Sequence, residues 1–305
     1  MLINIDKNPF LQLIFVLCLC LVSMLLFSIV GGLITVFLFD FDISSINNLA
    51  DPKTIEGLKM FQLFSAIGLF LVPPIAYALL TSKKPLEKLS LVKGGKSINY
   101  LLILVLMIGS TPFVSWVIDV NASMALPDFM SGIEEWMRTS EKQAEDLTKA
   151  FLTFDGKGSL LYVLVIVAIV PAIGEELLFR GVLQKIFIKW TNNPHFGIWI
   201  TAILFSALHM QFFGFFPRLL LGLMFGYVFL YTKSLWLPIL GHFINNGSVV
   251  MASYYIPESM ENADISIFEE GENSVIFYIV SFIVSAAIFY LIKKINNQKN
   301  KPVLV

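Results

Sequence analysis

The sequence predicts an all-α fold, a polytopic membrane bundle of about eight transmembrane helices. Three observations carry that reading. Hydrophobic residues make up 57% of the 305 residues. Charged residues make up only 14%, against roughly 25% in globular proteins. The apolar residues also fall in runs close to the roughly 20 residues that a helix needs to cross a bilayer. A soluble core cannot hide 28 phenylalanines and a mean hydropathy of +0.79, so lipid is the solvent for most of the chain. A secreted disulfide scaffold and a disordered tail are thereby excluded. A net charge of -1 leaves no basic excess for nucleic acid.

The eight runs follow in order. Pro9–Phe39 is too long for an upright span, so it tilts or extends past the bilayer. It is also about twice the usual apolar core of a signal peptide, and no small-residue cleavage pattern follows it. Cys18 and Cys20 lie inside it and read as packing residues rather than a disulfide or metal pair. Met60–Leu80 carries Pro73-Pro74, and Ile98–Ile118 is the third run. Ser159–Phe179 is the fourth and ends at Arg180. Phe196–Phe213, Phe216–Tyr231, Leu235–Tyr254 and Asn273–Ile292 complete the set. Between the third and fourth runs lies the longest loop, Asp119–Gly158. Its Ile133, Trp136, Met137, Leu147 and Phe151 recur at helical spacing, which predicts an amphipathic helix on the outer surface. A lid is the sharper reading of that segment, with no residue in the sequence to support it.

Lysine and arginine set the orientation. With a cytoplasmic N-terminus the inside loops hold Lys7, Lys83, Lys84, Lys88, Lys93, Lys96, Lys185, Lys189, Lys233, Lys293, Lys294, Lys299 and Lys301. The outside loops hold seven basic residues: Lys53, Lys59, Arg138, Lys142, Lys149, Lys157 and Arg218. The acids lean the other way, with the run Glu258, Glu261, Asp264, Glu269, Glu270 and Glu272 outside. Both termini are therefore expected in the cytoplasm of a multi-pass protein, most simply in the cell membrane. Three regions are expected: residues 1–157 with the first three spans and the external amphipathic loop, a core over 158–293 with the last five spans, and a basic tail over 294–305.

Ionisable side chains inside spans are costly and mark sites. Here they gather late in the chain, as Glu175-Glu176-x-x-x-Arg180, Phe205-x-x-x-His209 and His242-x-x-x-Asn246. Residues four apart share a helix face. Glu176 and Arg180 can thus pair, which leaves Glu175, about 100° away, as the freer carboxylate. Two chemistries fit these residues. Glu175, His209 and His242 can hold Zn²⁺ or another divalent ion with a position left for water. Alternatively Glu175 and His209 activate water directly, and His242 and Asn246 donate hydrogen bonds to an oxyanion. The sequence leans toward the second, because an amide one turn from His242 suits an oxyanion better than zinc. Asn245 could share that face, but the motif spacing favours Asn246, and His195 beside Pro194 reads as an ordinary loop residue.

Together the three motifs, in this order on consecutive membrane segments, resemble the signature of the CPBP (ABI) family, the CAAX proteases and bacteriocin-processing enzymes. The resemblance covers about residues 159–254, with every motif position intact. It implies an eight-helix intramembrane protease open toward the cytosol. In that likeness Glu175 and His209 activate the attacking water, His242 and Asn246 stabilise the oxyanion, and Arg180 braces Glu176. The partners implied are a membrane-associated peptide or protein substrate and the bilayer. A non-enzymatic scaffold or immunity factor of the same fold is the alternative. A transporter would need a second, inverted half, and none is visible.

The topology is open to a direct check. Reporter fusions at Asp264 and Asn300 should read external and cytoplasmic, respectively. The reverse result at either site refutes the assignment.

Overall fold

The structure is a computed structural model that describes residues 7–39, 48–154, 158–256 and 274–296, together with residues 3, 5, 46 and 156. The acidic run from Glu258 to Glu272, Asn273, Lys157, Lys299 and Lys301 lie outside the described residues. Among those described, regular structure is helical throughout. In chain order the helices are α1 (Pro9–Phe39), α2 (Pro52–Thr81), α3 (Pro85–Lys88), α4 (Ser97–Ala122), α5 (Ser131–Phe151), α6 (Ser159–Thr191), α7 (Pro194–Ala207), α8 (Phe215–Thr232), α9 (Trp236–Tyr255) and α10 (Ser274–Asn296).

Six of them are long and apolar enough to cross a membrane: α1, α2, α4, α6, α8 and α10. The protein is thus an integral, multi-pass membrane protein. The other two expected spans are present as helices and differ for physical reasons. With 14 residues α7 is about 21 Å long, short of a hydrocarbon core of about 30 Å. It stops at Ala207 because the chain turns over at Met210, whose φ of 53° lies in the left-handed region. With 20 residues α9 is long enough, but His242, Asn245 and Asn246 dilute its apolar character. A helix that carries polar groups inward need not look like a span.

The largest departure concerns α6. The sequence ends this span at Phe179, before Arg180, and so puts Glu175 near its inner end. The helix instead runs on to Thr191, and Glu175 sits midway along it. Arg180 does not terminate the span because Glu176 neutralises it within the bundle. Glu175 and Glu176 therefore lie near the middle of α6.

Packing makes α6 and α9 the centre. α9 lies against α6, α4 and α8, while α1 packs on α2, α10 on α4, and α7 on α8 and on the second half of α6. The segment Leu177–Leu183 is buried throughout. α1 and α10 are peripheral and expose most of their apolar side chains to lipid. Cys20 is buried, as a packing residue should be, but Cys18 faces outward, and both are free thiols.

Loops expected on the same side do meet. Leu235 N–H donates to Ser90 O at 3.2 Å, Trp236 Nε1 to Leu91 O at 2.9 Å, and Lys96 Nζ to Ile295 O at 2.5 Å. At the other end Lys59 Nζ reaches Thr153 O at 3.1 Å, and Asn121 joins Phe212 O and Phe216 N. The predicted amphipathic helix forms as α5, at that second end.

Close helix approach depends on glycine. Gly222 and Gly226 of α8 face α7. A Cβ on Gly222 would stand 3.0 Å from Ala202 Cβ, and one on Gly226 would stand 2.8 Å from Ile198 Cγ2. Small residues four apart let two membrane helices touch backbone to backbone. Gly222→Leu should therefore destabilise the protein by about 1–3 kcal/mol through overpacking. The thermal midpoint of the purified protein in detergent checks this. Gly132→Ala on α5, where a new Cβ meets nothing within 4 Å, should leave the midpoint unchanged or raise it.

Candidate active site

The core of the site is one carboxylate. Glu176 has 0% side-chain exposure, and its Oε1 accepts from Arg180 Nη1 at 2.6 Å and from His242 Nδ1 at 3.0 Å. The Arg180 bond follows from their i, i+4 spacing. The His242 bond joins α6 to α9 and has no signature in sequence. Arg180, itself 1% exposed, sends Nη2 to Gly222 O on α8 at 3.0 Å. One turn on, Gln184 Nε2 repeats the contact with Gly226 O at 3.1 Å. Arg180 and Gln184, four apart on α6, thus form two rungs to two glycine carbonyls four apart on α8. The Gly222-x-x-x-Gly226 spacing was the signal in sequence that could have pointed to this seam.

A carboxylate only accepts, so His242 Nδ1–H is the donor to Glu176. That leaves Nε2 to face Glu175, whose Oε2 lies 3.8 Å away. Glu175 is 12% exposed. Its Oε2 has no hydrogen-bond partner among the described residues, and neither do Glu176 Oε2 and Arg180 Nε. Buried polar atoms without partners are few in native proteins and call for an explanation. Here three of them fall within one turn and a half of one helix.

The phenylalanine of the second motif explains its place there. Phe205 packs edge-on to both His209 (ring centres 5.1 Å) and His242 (6.1 Å), and the Arg180 guanidinium stands 4.9 Å over its face. Phe225 stacks on the other side of His242 at 5.6 Å. These rings fix the imidazoles and keep the ion pair in an apolar setting.

His209 stands just beyond the end of α7, and its Nδ1 donates to Phe205 O at 2.8 Å. In the neutral ring the lone pair is then on Nε2. His209 is more exposed than the other site residues and makes no ion-pair contact with Glu175. The loop that carries it is held from outside the bundle. Glu141 of α5 accepts from Phe213 N–H at 3.1 Å and from Gln211 Nε2 at 3.4 Å, Trp136 packs on Phe212, and Arg138 lies over the Phe213 ring. Arg218 bonds Gln211 through its carbonyl and side-chain oxygens. The segment read as a surface helix therefore braces the His209 loop.

Asn246 is positioned by a proline. Pro171 has no N–H, so the carbonyl of Val167, four residues earlier, has no α-helical donor. Asn246 Nδ2 fills that role at 3.0 Å, which leaves its second N–H free. Asn245 does not compete. It donates to Asn246 Oδ1 at 3.1 Å and so orients it. His195 bonds the Tyr227 hydroxyl at 2.9 Å, away from the motifs, as a structural residue would.

The proposed metal set does not converge. Among the described residues no three His, Cys, Asp or Glu side chains are placed to hold one ion, and both nitrogens of His242 face carboxylates. Glu175, His209 and His242 are thus not a coordination shell as folded.

Residues 157–248 match the family model described as type II CAAX prenyl endopeptidase Rce1-like. The chain is also similar to the uncharacterized protein YpbD of Bacillus subtilis (strain 168), with 29% identity over 85 residues. That match covers 27% of this chain and 40% of YpbD, so it spans less than half of the relative. No solved structure matches.

The two glutamates should separate on mutation. Glu175→Gln should abolish activity with the thermal midpoint unchanged. Glu176→Gln should lose stability as well, because it strips the partner from a buried Arg180, a change that costs about 3–5 kcal/mol. Equal midpoints for the two variants would contradict this division.

Proposed function

We propose that this chain, which residues 157–248 place in the CAAX-protease family, is an intramembrane endopeptidase that hydrolyses a peptide bond of a membrane-associated protein or peptide. The observation that carries the reading is Glu175 Oε2. It is a buried carboxylate oxygen without a hydrogen-bond partner among the described residues, beside an imidazole and one residue from a glutamate whose Oε1 is paired to Arg180 and His242. Such a group is suited to take a proton from water.

In the proposed reaction Glu175 removes one proton from water as its oxygen attacks the scissile carbonyl carbon. His209 Nε2 helps to orient that water. The carbonyl π electrons move onto oxygen. The oxyanion is met by Asn246 Nδ2–H and by His242, which as imidazolium donates from Nε2 while Nδ1–H stays on Glu176. Collapse breaks the C–N bond, and Glu175 returns its proton to the leaving nitrogen. One water is consumed, and a new carboxyl and a new amine are released. Arg180 and Glu176 do not touch substrate; they hold His242 in register. With both termini in the cytoplasm, the His209 loop and α5 lie at the opposite, outer end of the bundle, so this reading has the site approached from that end and not from the cytosol as the family resemblance implies.

The experiment compares membrane proteomes of cells that carry wild type and Glu175→Gln. A membrane-associated protein or peptide should accumulate uncut in the variant. With that substrate in hand, Asn246→Ala should slow cleavage by about 10²–10³, as loss of one oxyanion donor does. An unchanged proteome, together with an unchanged cellular phenotype in Glu175→Gln, would favour the non-enzymatic scaffold.

A further inference from the structure

Away from the motifs, a cavity of about 670 Å³ opens at the lysine-rich end of the bundle. Its walls are the start of α1, the end of α2, α3 and the last third of α6. Lys83, Lys84, Lys88, Lys185 and Lys189 line it. Among the described residues the one carboxylate in the lining is Glu87, which is 3.0 Å from Lys84 Nζ. The lining thus carries, among those residues, five lysines and one carboxylate.

Lys185 is the informative member. It is mostly buried, and its Nζ donates to Lys88 O at 2.5 Å and to Ser90 Oγ at 2.8 Å. A carbonyl and a hydroxyl orient an ammonium but do not neutralise it. No carboxylate among the described residues lies within ion-pair distance of it. A cation withdrawn from water without a counter-charge is costly. Orientation signalling alone does not explain the arrangement, because that role needs only lysines spread over exposed loops. Here residues about a hundred positions apart converge on one concavity.

We infer that this cavity binds a phosphate-bearing anion, most simply the headgroup of an anionic phospholipid. Basic pockets between transmembrane helices suit such headgroups. The position fits, since the cavity lies at the bundle end where headgroups lie. Leu79 of α2 and Leu86 of α3, on the two elements that supply part of the wall, are both more than half exposed. The inference does not depend on the proposed hydrolysis.

The test uses the full-length protein in neutral detergent, titrated separately with phosphatidylglycerol, phosphatidylcholine and inorganic phosphate. Bound lipid is read by native mass spectrometry and binding by the thermal midpoint. Phosphatidylglycerol should bind at least tenfold more tightly than phosphatidylcholine. Each cavity lysine removed should weaken binding about fivefold, in Lys185→Gln and in the exposed pair Lys83→Gln/Lys84→Gln. The control pair Lys93→Gln/Lys294→Gln, outside the cavity, should bind as wild type does. A midpoint raised by phosphatidylglycerol alone identifies a lipid headgroup. One raised equally by inorganic phosphate identifies a free anion, and either supports the site. Unchanged phosphatidylglycerol affinity in Lys83→Gln/Lys84→Gln, which needs no buried residue to change, overturns it. So does the absence of any preference for phosphatidylglycerol or phosphate over phosphatidylcholine.

Discussion

A carboxylate with no solvent exposure, Glu176, ties the centre of this bundle together. In a medium of low polarity it is tolerable only with its charge compensated, and two partners share that task. Arg180 comes from the next turn of the same helix, and His242 comes from another helix. Each partner then fixes something further. Arg180 reaches a glycine carbonyl of α8, and His242 turns its second nitrogen toward Glu175. The ion pair thus aligns three helices and orients one imidazole. Buried pairs of this kind contribute little net stability, because desolvation offsets most of the attraction. What this one supplies is geometry.

Broken backbone ladders supply a second kind of order. In lipid every backbone polar group needs a partner inside the protein. Prolines remove donors, and the freed carbonyls recruit side chains from neighbouring helices. Val167 O, left without a donor by Pro171, accepts from Asn246. Beside Pro112, the Ser281 hydroxyl enters the ladder of α4, donating to Gly109 O and accepting from Phe113 N–H. In the wide π-helical turn Ile67–Leu71, where backbone bonds reach five residues on, Gly68 O meets Pro73, which has no N–H, and accepts from Ser23 Oγ. Each is a helix-to-helix bond that a regular helix has no reason to make. One of the three lies at the proposed active site, where it holds a side chain assigned to the oxyanion.

The His209 loop follows a different logic. It leaves a helix too short to span, turns through a left-handed residue, and is held by contacts from α5 and from Asn121. Segments with few buried apolar contacts open first. One half of the proposed site is thus fixed in the core and the other lies on a loop braced by α5.

The helical class, the multi-pass architecture, the three motifs and the Glu176–Arg180 pair were all legible in the amino-acid sequence. Each rests on a local quantity: the length of an apolar run, the rarity of charge within it, or the four-residue repeat that puts Glu176 beside Arg180. α5 was legible for the same reason. Contacts between distant segments decided the rest. Arg180 looked like the end of a span until its neutralised charge let α6 continue to Thr191. His242 looked like a partner for substrate or metal, yet its Nδ1 is committed to Glu176, 66 residues earlier. The motif spacing favoured Asn246 over Asn245, but only packing gave the amide of Asn246 to Val167 O and the amide of Asn245 to Asn246. The lysines near residues 83–88 and 185–189 read only as loop charge until folding set them around one cavity. Periodicity reports which face a side chain takes on its own helix; which helix stands opposite depends on the packing of the whole bundle.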